Sequence, residues 1–120
     1  MTKFDADTLA VLRNIREVRI RTEKHPGSAV VIWVVVAAEE VFVRSFRGAK
    51  GRWYEDLAAG GRAALEASGR QLAVEAMPAN DSATIERVSR EFLKKYRSSP
   101  YAQAMVQEDT LPTTLRLKPR

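Results

Sequence analysis

Ala29-Val30-Val31-Ile32-Trp33-Val34-Val35-Val36-Ala37-Ala38 is the longest apolar run in the chain, and the fold follows from how it is read. Ten residues fall far short of the roughly 20 that a helix needs to cross a bilayer. The Val, Ile and Trp content favours extended backbone. Val30 to Val36 is apolar at every position, so the spacing predicts a central strand covered on both faces.

Working outward, Glu17-Val18-Arg19-Ile20-Arg21 alternates charged and apolar residues, as a strand does with one face in water. Lys24-His25-Pro26-Gly27 is a turn between these two strands. After Ala38-Glu39-Glu40 a further strand spans Val41 to Ser45. Two more, Arg62–Ala67 and Gln71–Met77, are joined by Ser68-Gly69, and Thr114–Leu117 closes the series.

Helices are few. Asp5 or Asp7 can cap one carrying Leu9, Leu12 and Ile15, and Arg52 to Ala59 forms a short one ended by Gly60-Gly61. The longest runs from Asp81 to Tyr96, with Ile85, Val88, Phe92 and Tyr96 on one stripe. Pro100 opens a last short helix with Tyr101, Met105 and Val106. Tight turns between consecutive strands imply antiparallel pairing. The class is α+β in one domain over residues 1–120, and six strands fit either an open sheet or a closed barrel.

With 120 residues, 45% hydrophobic and 29% charged, the chain can bury a core without staples. It has no cysteine, which excludes disulfides, thiolate metal sites and a cysteine nucleophile. Its one histidine, His25, sits in the Pro-Gly turn, so imidazole clusters and a histidine-based nucleophile relay are also disfavoured. Met1 to Arg16 lacks the apolar core of a signal peptide, so a soluble, cytoplasmic protein is expected, with no membrane partner. The net charge of +5 favours anionic partners. Glu17, Glu23, Glu39 and Glu40 interrupt any continuous basic stripe, which argues against nucleic acid.

The segment Arg44-Ser45-Phe46-Arg47-Gly48-Ala49-Lys50-Gly51-Arg52-Trp53 stands apart, with four cations and no acid. Guanidinium forks, glycines that admit close backbone approach and a following helix start all suit a phosphate. Phe46, Trp53 and Tyr54 add flat apolar surface, while Trp33 is expected in the core. Neither common nucleotide-binding glycine motif is present. A solvated basic hairpin with Trp53 packed inward fits the same pattern as well as anion binding does.

Ile32-Trp33-Val34-Val35-Val36, Val41-Phe42-Val43-Arg44-Ser45, Arg47 to Tyr54 and Lys94-Lys95-Tyr96 together resemble a small uncharacterised bacterial family. That family is similar to the pyridoxamine-phosphate-oxidase-like split barrels, including the deazaflavin-dependent nitroreductases. The resemblance covers about Glu17 to Tyr96 and Thr114-Leu115-Arg116-Leu117. It implies a six-stranded antiparallel split β-barrel with short flanking helices, and a homodimer. It further implies a flavin mononucleotide (FMN) or deazaflavin coenzyme at the dimer groove and an oxidoreductase acting on a small substrate. Carried over by position, the cofactor-binding set is Arg44, Ser45, Arg47, Gly48, Lys50, Arg52 and Trp53. The cofactor would supply the redox chemistry, so no acid–base dyad is needed. In one departure, Ser28-Ala29-Val30-Val31 stands where a polar or basic residue is expected before the Ile-Trp strand. The alternative is a non-catalytic dimeric module of the same fold, binding a phosphorylated ligand or none.

Overall fold

A computed structural model describes residues 3–120 of the chain. Its strands are β1 (Val18–Thr22), β2 (Val30–Ile32), β3 (Val35–Ala37), β4 (Glu40–Val43), β5 (Gly61–Ala67), β6 (Arg70–Pro78) and β7 (Leu115–Pro119). Three α-helices accompany them: α1 (Ala6–Asn14), α2 (Arg52–Leu57) and α3 (Ser82–Lys95). Short 3-10 turns at Gly48–Lys50, Ala102–Val106 and Leu111–Thr113 fill the connections.

The sheet has seven strands rather than the six expected, because the Val30–Val36 run breaks at Trp33-Val34 and serves as two. The order is β2-β1-β5-β6-β7-β4-β3, every pair antiparallel. The halves of the broken strand therefore stand at opposite edges. Laid flat, seven strands would hold those edges about 29 Å apart. The Trp33-Val34 link reaches only about 11 Å. The sheet must curl until its edges approach, and the result is barrel-like.

Leaving the ladder strips Val34 of its strand partners, and α3 replaces them. The Val34 amide donates to the Tyr96 hydroxyl at 3.1 Å, and the Val34 carbonyl accepts from Lys95 Nζ at 2.7 Å. Lys95 Nζ also donates to Leu12 O at 2.8 Å and the Tyr96 hydroxyl to Arg16 O at 2.7 Å, tying the end of α1 to the same point. Burial pushes the Tyr96 phenol up to about 12, so it works as a neutral hydroxyl.

The pleat divides the core in two. Val18 and Ile20, Val36, Val41 and Val43, Ala63, Leu65 and Ala67, and Leu115 and Leu117 point into the curl, where Leu12, Trp53 and Leu57 plug it from the helices. Val35, Ala37 and Phe42 point outward and are covered by Val88, Phe92 and Tyr96 of α3. This double cover belongs to the β3 half; Val31 of β2 is left exposed, so the run is not the central strand covered on both faces that its composition predicts. Asp5 and Asp81 cap α1 and α3 by accepting from the Thr8 and Thr84 amides. The β3–β4 and β5–β6 turns are two-residue hairpins at Ala38-Glu39 and Ser68-Gly69, all four residues at positive φ, as the strand twist requires. Among the described residues no helix is long and apolar enough to cross a membrane.

Candidate functional site

The period of two decides where the basic segment sends its first side chains. Phe42 and Arg44 share the outer face, so Arg44 passes under α3 instead of into solvent. The residue is 1% exposed, and its guanidinium donates four hydrogen bonds, to Thr114 Oγ1 at 2.8 Å and to Ser89 Oγ, Met105 O and Ile85 O at 2.9 Å each. The Phe92 ring lies 5.4 Å from its central carbon. Burial pushes its pKa down to about 10, which leaves it charged at neutral pH.

Ser45 faces the other way and is also committed. Its amide donates to Thr113 Oγ1 at 3.0 Å and its hydroxyl to Gly48 O at 2.7 Å. The turn that follows is built on close approaches. Gly48 has φ +63°, and a side chain there would meet the Asp109 carbonyl at 3.3 Å. A Cβ on Gly51 would stand 2.5 Å from Ser45 Oγ, closer than any tolerable contact. Both glycines serve the fold of the turn.

Beside this turn lies a cleft of about 740 Å³. That falls within the roughly 300–1,000 Å³ typical of small-molecule sites. Several parts of the chain meet in it. β2 and the strand break give Val31 and Trp33, the basic segment gives Arg44, Ser45, Phe46, Arg47, Arg52 and Trp53, and the chain after α3 gives Tyr101 and Met105. Arg16 and Glu17 close it from the α1–β1 link.

Of the residues expected to hold a phosphate, Arg47 and Arg52 reach the cleft with exposed side chains and no ion pair among the described residues. Arg44 and Ser45 form its inner wall with their polar atoms already engaged. Trp53 lines it while packed into the core inside the curled sheet at 7% exposure. Gly48 and Lys50 lie outside it. Trp33 is half-buried rather than fully inside the core: it packs against the outer core, stacks on Tyr96 at 3.8 Å and lines the cleft.

The contributions missed from sequence are Arg16, Val31 and Tyr101. Arg16 sits 6.0 Å from the Trp33 ring centre. Val31, Phe46 and Tyr101 are 52%, 57% and 61% exposed, an open apolar rim, and Phe46 meets Tyr101 edge-on at 6.0 Å. Val31 is exposed because β2 is an edge strand, and nothing in the uniformly apolar run signals that.

His25 is an exposed turn residue, yet it is tethered. Its Nδ1 lies 2.6 Å from Asp56 Oδ2, which also accepts from Thr22 Oγ1 at 2.6 Å. Partial burial raises the Asp56 carboxyl, but the hydrogen bonds from Thr22 and His25, with the charges of His25 and Lys24, bring it below its ordinary value.

Comparison with solved structures finds the same fold at low identity. A conserved hypothetical protein, Rv2991 from Mycobacterium tuberculosis, superposes with a TM-score of 0.63 at 13% identity, over 96% of this chain and 78% of that one. A protein from Jannaschia sp. CCS1, provisionally assigned as general stress protein 26, gives 0.66 at 13% identity, over 96% and 75%. An FAD and heme binding protein from Mycobacterium smegmatis gives 0.58 at 17% identity, over 98% and 66%. No curated protein matches significantly. Residues 8–117 match the family model described as "Uncharacterized protein conserved in bacteria (DUF2255)", and the chain belongs to that family.

Proposed function

We propose that the cleft binds a flavin-type cofactor, FMN or a deazaflavin coenzyme, and that the protein is an oxidoreductase acting on a small substrate. The observation that carries this reading is the pairing of chemistries in one cleft. Exposed Arg47 and Arg52 suit a phosphate, and an apolar rim of Val31, Phe46 and Tyr101 suits a flat ring system. The similar fold of a protein that binds FAD and heme supports it. The chain's own residues would bind and orient the cofactor; the cofactor, when bound, supplies hydride or electron transfer.

The same rim supports a homodimer. Three large apolar side chains side by side on a small surface are the usual mark of an interface or ligand groove.

A thermal melt tests the reading. FMN or a deazaflavin coenzyme at 100 times its dissociation constant should add about 2.7 kcal/mol of stability. Arg47→Ala with Arg52→Ala should remove most of that gain while leaving the apo protein folded, since both side chains are exposed. An unchanged midpoint with both cofactors contradicts it. In the non-catalytic alternative the same cleft holds a phosphorylated ligand without redox turnover. Saturable binding with no turnover under any reductant selects that alternative.

A further inference from the structure

Arg44 presents an imbalance. A fully buried cation is costly unless an opposite charge faces it. Its four partners are two hydroxyls and two backbone carbonyls, all neutral. Among the described residues no carboxylate pairs with it; the ion pairs of Glu23, Glu39, Glu40, Asp56 and Glu86 all lie elsewhere. If the side chain only stitched β4 to α3 and the 102–106 turn, an uncharged donor would do so without the desolvation cost.

What distinguishes the position is its neighbour. Arg44 lies in the wall of the cleft whose mouth carries Arg47 and Arg52, and Arg16 closes the side. The bonds to Ile85 O, Ser89 Oγ and Met105 O also fix the segment that brings Tyr101 and Met105 into that cleft. We propose that Arg44 is a positioning residue whose buried charge selects an anionic group at the inner end of the cleft. It acts through its field and by fixing the wall, while Arg47 and Arg52 make the contacts. The inference rests on the cleft being a ligand site, but it requires only the anion, not the flavin ring.

Inorganic phosphate at low millimolar concentration, where its general salting-out effect is small, is therefore the probe, with chloride at matched ionic strength as the reference. Wild-type protein should melt higher in phosphate. Arg44→Gln, which keeps donors and drops the charge, should bind phosphate about tenfold more weakly by the same titration. Thr114→Val removes one neutral partner, together with the Thr114 hydroxyl's own bond to Leu111 O, and keeps the charge, so it should be less stable in chloride and gain more from phosphate than wild type does. It also serves if Arg44→Gln fails to fold. A phosphate gain in Arg44→Gln equal to that of wild type overturns the proposal. So does a Thr114→Val gain no larger than wild type's, or the lack of any phosphate-specific gain in wild type. A phosphate response without flavin binding would sink the cofactor reading and leave this one standing.

Discussion

At the scale of single residues, the basic segment divides by what each side chain can still do. Arg44, Ser45, Gly48 and Gly51 hold the turn's shape, while Arg47 and Arg52 remain free for a ligand. The tightest of these contacts is Gly51 against Ser45. Gly51→Ala should cost roughly 1–3 kcal/mol, as overpacking does. Adding Ser45→Ala removes the colliding Oγ, so the double variant should be more stable than Gly51→Ala alone in urea denaturation. Additive losses would contradict the contact. Asp56 offers a second check. Its carboxyl is depressed in the folded protein, so its contribution is present above the unfolded value near 3.9 and is lost as pH falls through the folded value. Wild type should exceed Asp56→Asn in stability at pH 6, and the gap should close as the pH drops below about 4. A gap that is constant with pH would mean the tether carries no charge dependence.

At the scale of elements, the decisive feature is the strand break at Trp33-Val34. Composition alone makes Val30–Val36 one strand, and every residue in it favours that reading. Nothing local marks the break, because the replacement partners, Lys95 and Tyr96, come from a helix some sixty positions away. Short-range signals served better where the cause is local. The Asp81 cap, the α3 stripe and the Ser68-Gly69 hairpin all follow from neighbours in sequence. Antiparallel pairing was legible for the same reason. Tyr96→Phe tests the stitch: it should leave the Val34 amide unpaired and destabilise the protein by roughly 1–3 kcal/mol. A midpoint within error of wild type would mean that the break is held by the chain's curvature instead.

For the whole molecule, the break makes both the curl of the sheet and the cleft. By sending one half of the run to each edge of the sheet, it curls the sheet, exposes Val31 and turns Trp33 toward the opening. The basic segment was legible as a place where an anion could bind. Its partition into wall and mouth was not, since that depends on which face of β4 lies under α3. Arg16 and Tyr101 were illegible for a related reason: they reach the cleft only through tertiary packing. The fold and the cleft rest on geometry; the cofactor rests on the match between the cleft and a phosphate-bearing ring. The most direct measurement is an equilibrium titration of the purified protein with FMN and with a deazaflavin coenzyme, followed by cofactor fluorescence. Saturable quenching by wild type, with Arg47→Ala combined with Arg52→Ala weakening the affinity at least about tenfold, is predicted. No saturable change with either cofactor would contradict the central claim.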